Sequence, residues 1–494
     1  MDPLFARIWN EARATQGGIW LASRKEGAER ENPLFERFVS APHERLLLDG
    51  RTGRHVTGGD LAGFAQLVAS EVGSSGVVSV LCGDRFVHAV TTTAALAAGK
   101  LVLPLEPAVP GWALRRMLHH CAALGVPTVF VDRDTRGPRH LFNGTCVRDS
   151  AEYLVPAPIG SSIPSSGHLM AISRDASGLP IYDAISLPVL WRAARSMGDR
   201  LGVGAHWTTA CVTSLGAPGT YVGDVLVALA NESAAVILPA LQLTDSRRSL
   251  DDISALGANS FTAPVHALRH IAAEEHGAMG DSIRFAVCSS GDPGRRLAVR
   301  YAERAGHPVV AGLVSRNRPL WAALASPGQA RALRMGVGLA PLVPTHMERL
   351  DDMGVPLAWA LEDGSDLRVG DAEIYGQVSS EGELRVTGHP SRQLIGWDGR
   401  RVDLDAIDEA LLVLPAVVDS YTLTRSNDWP RDAGLVSMVA LRASLGDGHL
   451  YEAIATRTPD PDHAFVRVAA VPRMADGTVL EDDARALADR NLQS

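Results

Sequence analysis

Two residues of this sequence could carry nucleophilic chemistry together. Cys288 ends a predicted buried strand, and His266 follows another strand that is expected to end at the same edge of a sheet. A cysteine thiolate activated by an imidazole can accept an acyl group from a thioester. The alternative, which we prefer, is that Cys288 is a small buried apolar side chain and that His266 begins a helix.

Other catalytic arrangements are not indicated. His119, His120 and Cys121 are consecutive, and consecutive positions on a helix point in different directions, so they do not predict a metal site. The sequence has no G-x-S-x-G nucleophile elbow, no H-E-x-x-H zinc motif and no Walker phosphate loop. We therefore expect no metal centre.

Composition bounds the class of protein. The chain has 494 residues, of which 46 % are hydrophobic and 21 % charged, and a net charge of −9. These values predict a globular protein of two or more domains, and the spread-out negative charge does not favour a nucleic-acid or membrane partner. Five scattered cysteines, no secretion signal and no apolar run of membrane-spanning length predict a cytoplasmic protein with reduced thiols. The oligomeric state stays open.

The elements that would position these residues alternate between strands and helices. Buried strands are predicted at Gly76–Cys82, Leu101–Leu105, Thr128–Val131, Trp207–Thr213, Ala235–Leu238, Ser260–Ala263, Ile283–Cys288 and Val309–Leu313. Helices are predicted at Thr57–Val72, Phe86–Ala98 and Pro110–Leu124. This alternation predicts an α/β fold with a mostly parallel sheet and helices on both faces. Residues 1–40 have no assignable pattern.

The C-terminal region follows a different order. Glu383–Thr387 predicts a strand, and Asp398-Gly399 predicts a tight turn. Leu404 opens a predicted helix, Pro415 ends it, and Val417 begins another strand. The apolar residues that recur at helical spacing are Ile407, Ala410, Leu411 and Leu414.

This order resembles the hinge and small C-terminal domain of adenylate-forming enzymes, which are the acyl-CoA synthetases and the adenylation domains of peptide synthetases. The matching positions are Gly388, Gln393, Gly399, Arg401, Val402, Asp403, Ile407, Asp408, Leu414, Pro415 and Val417. Gly83-Asp84-Arg85 and Ala94–Pro107 resemble the first half of the same superfamily. The resemblance implies a large domain of stacked mixed sheets with flanking helices over residues 1–387. A small α+β domain would follow over residues 388–494, after a hinge near 388–391.

The resemblance also implies where ATP would bind, and there this sequence departs from the family. When the two are aligned on Gly178, this sequence has Asp175 where the family's phosphate loop has a glycine. It has Ile181 where that loop has its lysine. Asn317 takes the position of the Mg²⁺-binding glutamate, and Thr478 that of the C-terminal lysine. A carboxylate repels a triphosphate, and an amide is a poor ligand for a hard cation. The residues assigned to this degenerate nucleotide site are Arg174, Asp175, Ser177, Gly178, Arg316, Asn317, Asp371 and Thr478.

Two features of the implied substrate site stay open. Asp371 is either the family's ribose-binding aspartate or part of a strand that remains after that segment was deleted. Thr220 and Tyr221 fall where amino-acid-activating members hold an aspartate, so an α-amino acid substrate is not favoured. The residues assigned to the acyl pocket are Thr220, Tyr221, His266, Ser290, Gly291, Gly312 and Leu313. Gly399–Asp403 borders the pantetheine channel in the family, so we expect no cofactor other than a pantetheine thioester of CoA or a carrier protein.

Three functions follow as expectations. The first is a non-catalytic adenylation-fold protein that binds a carrier protein or a biosynthetic enzyme in a specialised-metabolite type of pathway. The second is an ATP-independent acyltransferase that moves an acyl group between CoA and carrier-protein thioesters, with Cys288 and His266 as its catalytic residues. The third is an acid–CoA or acid–carrier ligase with a remodelled ATP site.

Overall fold

The structure is a computed structural model of the chain. It describes residues 19–21, 32–72, 77–105, 128–132, 146–149, 167–174, 180–216, 218–241, 246–273, 282–291, 295–314, 321–325, 340–341, 345–349, 356–362, 367–369, 374–378, 384–388, 392–395, 401–425, 434–457, 463–473 and 479–492. Among the helices in these ranges, none is long and apolar enough to cross a membrane.

The first half of the chain builds two sheets and the helices between them. Its strands are β1 (Ile19–Leu21), β2 (Arg45–Asp49), β3 (His55–Thr57), β4 (Val77–Leu81), β5 (Leu101–Pro104), β6 (Thr128–Val131), β7 (Cys146–Asp149), β8 (His168–Arg174), β9 (Pro180–Ser186), β10 (Thr208–Cys211) and β11 (Ala234–Ile237). Its helices are α1 (Pro33–Ser40), α2 (Gly58–Glu71), α3 (Arg85–Ala97), α4 (Leu187–Leu201) and α5, which joins Pro218–Thr220, the π-helical Tyr221–Leu226 and Val227–Ala230.

The second half completes the second sheet and adds smaller ones. Its strands are β12 (Ser260–Ala263), β13 (Phe285–Cys288), β14 (Ser290–Gly291), β15 (Val309–Val314), β16 (Trp321–Leu324), β17 (Ala340–Pro341), β18 (Thr345–Arg349), β19 (Pro356–Glu362), β20 (Leu367–Val369), β21 (Ile374–Val378), β22 (Leu384–Gly388), β23 (Gln393–Ile395), β24 (Arg401–Asp403), β25 (Val417–Thr424), β26 (Leu435–Leu441) and β27 (Ala464–Val468). Its helices are α6 (Ser246–Ala255), α7 (Val265–Ala273), α8 (Arg295–Ala305), α9 (Leu404–Leu412), α10 (Asp447–Ile454) and α11 (Glu481–Leu492).

Local side-chain caps explain where several helices begin. Asn32 accepts a hydrogen bond from the backbone N–H of Phe35, and Pro33 occupies the first position of α1. Thr57 and Asp60 form a reciprocal capping box at the start of α2. Asp403 accepts from two backbone N–H groups at the start of α9.

Sheet 1 has the strand order β1-β9-β8-β5-β4-β6-β7. Its neighbouring strands are parallel, except that β8 and β9 form an antiparallel pair. After β4 the chain adds β5 on one side and β6 on the other, so the strand order reverses at β4.

Sheet 2 has the order β17-β16-β15-β13-β12-β10-β11-β2-β3, with β14 paired to β15. The strands from β15 to β2 in this order are parallel, and antiparallel strands extend both ends. After β10 the chain adds β11 on one side and β12 on the other. The strand order of sheet 2 therefore reverses at β10.

Apolar side chains fill both faces of sheet 2. One core joins it to sheet 1 and to helices α1–α5, and includes Phe38, Phe64 and Leu190. The other core lies beneath α6, α7 and α8 and includes Phe261 and Leu268. Strand β4 is buried along its whole length, which accounts for its run of apolar residues without alternation.

The C-terminal sheet has the order β25-β26-β27, with α9 and α10 on one face and α11 on the other. Arg392, just before β23, is buried against it. Its guanidinium binds Asp408 and the carbonyl of Thr422, and its Nε lies 2.9 Å from Oδ1 of Asp405. The ring of Tyr421 lies beneath the guanidinium, with 4.2 Å between its centroid and Cζ. Arg392 thus fixes the segment before β23 to the C-terminal sheet.

The predicted fold class is confirmed. The strands expected at 128–131 and 260–263 have those bounds, and the other predicted strands and the helices at 57–72, 86–98 and 404–414 differ by a few residues at their ends. The structure also shows a helix at Pro33–Ser40, within the stretch that has no assignable sequence pattern. The helix expected at 110–124, the turn at 398–399 and the hinge residues 389–391 lie outside the described residues. The domain boundary at 387 stays a prediction.

Replacing Arg392 by Met should destabilise the protein strongly. The buried carboxylate of Asp408 would lose the guanidinium that is hydrogen-bonded to it, so we expect the free energy of unfolding to fall by about 3–5 kcal/mol. Urea-induced unfolding of the whole chain measures the change. The control is Arg467→Met, which removes the exposed pair with Asp447 and should cost about 0.2–1 kcal/mol. Equal costs for the two variants would contradict this account of Arg392.

Candidate functional site

The carboxyl edges of sheets 1 and 2 meet where their strand orders reverse. Arg85 follows β4, and its Nε donates to the carbonyl of Leu238 at 2.7 Å. Its Nη2 donates to the carbonyl of Thr213 at 2.6 Å. One side chain at the end of β4 therefore binds the backbone that follows β10 and β11. In open α/β sheets, ligands bind at the carboxyl ends of strands beside such reversals.

Asp84 holds Arg85 in place. Its carboxylate accepts from the backbone N–H groups of Phe86 and Val87 and so caps α3. Its own N–H donates to Oδ2 of Asp132, at the end of β6, at 2.6 Å. The Gly83-Asp84-Arg85 stretch, noted in the sequence for its resemblance alone, thus fixes the edge of sheet 1.

The π-helical segment Tyr221–Leu226 packs beside this edge. Tyr221 is buried, and its hydroxyl lies 2.7 Å from Oγ1 of Thr93 on α3. Thr209 of β10 donates to the backbone carbonyl of Asp224 at 2.6 Å. π-helical turns are rare, and they occur frequently at functional sites.

Asp224 places a carboxyl group inside this segment. Its side chain is 1 % exposed, and Thr262, Arg85 and Cys211 face it. Burial raises the pKa of Asp224 to about 8, although hydrogen bonding from Thr262 and the charge of Arg85 oppose that rise. Its Oδ2 has no hydrogen-bond partner among the described residues. Leaving such an oxygen unpaired costs about 1–3 kcal/mol.

Asp224 has no role predicted from the sequence. The available signal was a single acidic residue within the apolar run from Tyr221 to Ala230. The pocket residues predicted in this region are Thr220 and Tyr221, which are buried in the same helix. Their role in binding stays a prediction.

Four of the predicted pocket residues are brought together. In the antiparallel pair of β14 and β15, Ser290 is opposite Leu313 and Gly291 is opposite Gly312. Strand β14 comes directly after β13, so these residues lie at the carboxyl end of sheet 2, beside β12. The structure supports their proximity, and their assignment to an acyl pocket stays a prediction.

Cys288 ends β13 and His266 follows the neighbouring strand β12, but the two side chains have different surroundings. Cys288 is 0 % exposed and lies in the core beneath α6–α8, together with Ala267 and Leu268. Burial lowers the pKa of His266 to about 3; Arg473 lowers it further and Asp419 opposes this. The charged groups acting on His266 thus include a pair from the C-terminal sheet. The role of Cys288 and His266 as a catalytic pair stays a prediction.

A buried ionic interface joins α7 to the C-terminal sheet. Arg473 donates from Nε and Nη2 to the two oxygens of Asp419, both at 2.9 Å. Partial burial of Arg269 on α7 lowers the pKa of its guanidinium, while the charges of Asp408 and Asp419 act to raise it. Arg442 donates to the carbonyl of Ala273, at the end of α7, at 3.0 Å.

Most of the predicted nucleotide site cannot be located. Arg174 ends β8, but Asp175, Ser177, Gly178, Arg316, Asn317, Asp371 and Thr478 lie outside the described residues. The same holds for His119, His120 and Cys121. Within the described ranges, no group of three or more His, Cys, Asp or Glu side chains could hold a metal ion.

The two sheets and the C-terminal elements together form the fold of adenylate-forming CoA ligases. An anthranilate CoA ligase in complex with anthranoyl-AMP aligns with a TM-score of 0.77 at 14 % identity, over 92 % of this chain and 96 % of that chain. ATP-bound MatB from Rhodopseudomonas palustris gives 0.76 at 14 % identity, over 92 % and 98 %. O-succinylbenzoate CoA synthetase (MenE) from Bacillus subtilis, with ATP and magnesium, gives 0.75 at 16 %, over 94 % and 100 %. No family model and no curated protein matches this sequence.

The resemblance inferred from the sequence is thereby confirmed at the level of the fold. The similarity extends over nearly the whole of both chains, so it includes the C-terminal elements as well as the two large sheets. At 14 to 16 % identity, the likeness establishes the fold alone.

Replacing Asp224 by Asn should change how stability depends on pH. The folded-state pKa of about 8 lies above the ordinary value of 3.8, so the folded protein holds this proton more tightly than the unfolded chain does. The free energy of unfolding therefore falls as pH rises from about 4 to about 8. In Asp224→Asn this contribution is absent, so its thermal midpoint should rise relative to wild type across that interval and level off above it. A constant difference from pH 4 to 9 would contradict the prediction.

His266 should contribute the opposite dependence. Its folded-state pKa of about 3 lies below the ordinary value of 6.5, so the unfolded chain binds this proton more readily. The free energy of unfolding then falls as pH drops from about 6.5 towards 3. His266→Gln should show a weaker acid-induced decrease in thermal midpoint than wild type. His449→Gln, at an exposed position of α10, is the matched control and should follow wild type.

Proposed function

We propose that this chain is an adenylation-fold protein that binds an acyl thioester or its carrier protein and does not activate acids with ATP. The observation that carries the proposal is the retained fold combined with four substitutions. Asp175, Ile181, Asn317 and Thr478 stand where the resembled family has glycine, lysine, glutamate and lysine. Each substitution removes a different part of the nucleotide chemistry.

The phosphate loop supports the proposal most directly. Arg174 pairs with Pro180 and Ser173 with Ile181 in the antiparallel pair of β8 and β9, so residues 175–179 connect the two strands. Asp175 thus adds a carboxylate to the connection where the family's phosphates would lie. Two like charges 4 Å apart repel by about 4 kcal/mol at an effective dielectric constant of 20. The side chain of Ile181 carries no positive charge to offset this repulsion.

This chain also lacks the Mg²⁺-binding glutamate and the C-terminal lysine of the resembled family. Asn317 follows β15 and offers a neutral amide where Mg²⁺ prefers a carboxylate. Thr478 has neither the length nor the positive charge that stabilises a developing negative charge at phosphate. The residues of this chain therefore do not fit Mg·ATP.

The acyl side of the site keeps its framework. The carboxyl edges of the sheets meet through Arg85, and β14 pairs with β15. Binding a pantetheine thioester requires a pocket and a channel but no nucleotide. The partner would be a carrier protein, an acyl-CoA or a biosynthetic enzyme of a specialised-metabolite type of pathway.

The two other functions have less support. Acyl transfer by Cys288 needs a base with a pKa near neutral, and His266 has a pKa of about 3. A ligase with a remodelled ATP site is supported by the fold likeness to ATP-bound structures. The nucleotide assay below separates that alternative from the proposed function.

The nucleotide assay combines calorimetry with pyrophosphate exchange. Mg·ATP at millimolar concentration should give no saturable heat, and a panel of carboxylic acids should give no exchange. An anthranilate CoA ligase, whose structure shares this fold, is the positive control. Exchange with any acid would overturn the proposed function and support the remodelled ligase.

A second assay omits ATP. Acyl-pantetheines and acylated carrier proteins are incubated with the protein, binding is measured by calorimetry, and acyl transfer is followed by intact-protein mass spectrometry. We expect binding without transfer. The control is Cys82→Ala, which also removes a buried thiol. Acyl transfer that is lost in Cys288→Ala but kept in Cys82→Ala would instead establish the acyltransferase.

A further inference from the structure

A guanidinium, a thiol and a carboxyl group lie next to one another where the two large sheets meet. Nη2 of Arg85 donates to the carbonyl of Thr213 at 2.6 Å and lies 3.8 Å from Sγ of Cys211. Cys211 is in turn a hydrogen-bonding neighbour of the Asp224 carboxyl group. Both Cys211 and Asp224 are buried. The thiol of Cys211 is therefore adjacent to both the guanidinium and the carboxyl group.

The guanidinium of Arg85 has two kinds of acceptor within this junction. It donates to the backbone carbonyls of Thr213 and Leu238, and the charge of Arg85 also acts on the Asp224 carboxyl group. A carboxylate attracts a guanidinium more strongly than a neutral carbonyl does, because the two carry opposite charges at a low effective dielectric constant. A buried carboxylate without a paired cation is strongly unfavourable. Ionisation of Asp224 therefore favours movement of the guanidinium from the carbonyls towards the carboxylate.

We propose that loss of the Asp224 proton releases the connection between the two large sheets. The O–H proton goes to solvent, the guanidinium of Arg85 turns to the carboxylate, and the carbonyls of Thr213 and Leu238 lose their donor. The segments that follow β10 and β11 are then no longer held to the start of α3. This inference does not depend on the proposed function, although these segments border the edge at which we propose that the thioester binds.

The surrounding charged and titratable groups support Asp224 as the group that controls Arg85. Asp84 precedes Arg85, but its carboxylate caps α3 and binds Arg54 at 2.7 Å. Tyr221, on the same helix as Asp224, is buried, which raises its pKa above the ordinary value of 10.0. Burial raises the pKa of Asp224 to about 8, so this carboxyl group holds its proton at neutral pH and loses it before Tyr221 ionises.

Amide hydrogen exchange measures whether the junction stays closed. The N–H of Leu238 donates to the carbonyl of Cys211 at 3.1 Å, and the N–H of Leu241 donates to the carbonyl of Val212 at 2.8 Å. Both hydrogen bonds join the segment after β10 to the segment after β11. After correction for intrinsic exchange at each pH, we expect the protection factors of these two amides to fall at least about tenfold between about pH 7 and about pH 9. The amides of β6 are the internal control and should keep their protection over the same interval.

Three variants assign the change to the two side chains. Asp224→Asn cannot ionise, so the two amides should stay protected at both pH values. Arg85→Met lacks the donor, so they should exchange rapidly at both. Arg54→Met, the matched control, removes the half-exposed pair with Asp84 and should keep the wild-type dependence on pH. A fall that persists in Asp224→Asn, the absence of a fall in wild type, or an equal fall in β6 overturns the proposal.

A measurement on wild type alone covers the case in which Asp224→Asn does not fold. An infrared pH titration should show one protonated carboxyl band that disappears with the same midpoint as the amide protection. Different midpoints for the two signals overturn the proposal. Neither experiment uses a thioester, so failure of this proposal leaves the proposed function intact.

Discussion

The guanidinium of Arg85 is the constraint on which the arrangement of the two large sheets depends. It reaches from the end of β4 to carbonyls that follow β10 and β11, at 2.6 to 2.7 Å. A guanidinium presents its donors in one fixed plane, so it holds these backbone segments in a defined geometry. Helices α3 and α5 pack beside this junction and meet through the hydroxyls of Thr93 and Tyr221. The carboxyl edges of the two sheets are therefore held together at this junction by Arg85.

Much of the fold was predictable because its signals are local. Runs such as Val77–Leu81 are apolar without alternation, which indicates a strand buried on both faces, and helices of ordinary length separate them. Helix α9 begins at Leu404 as the sequence predicts, and it ends at Leu412, a few residues before Pro415. These patterns need only a few neighbouring residues to be recognised, and they determined both the fold class and most element positions.

The site was less predictable because it depends on contacts between distant segments. The sequence predicts Thr220 and Tyr221 in the pocket, but it does not show that Asp224 contacts residues of both β10 and β12. Likewise, the position of His266 after a strand suggested a role at the strand ends. The charges that act on it include Asp419 and Arg473, more than 150 residues later in the chain. Local spacing carries no information about such partners.

The π-helical turn at Tyr221–Leu226 changes the phase of its helix. A turn closed by i→i+5 hydrogen bonds takes in one residue more than an α-helical turn, and one residue of α-helix corresponds to about 100° of rotation. Side chains before the segment are therefore rotated by about 100° relative to those after it, compared with an uninterrupted α-helix. No single helical wheel describes both ends of α5. An alignment of α5 with an uninterrupted α-helix that ignores the extra residue would therefore pair the wrong positions.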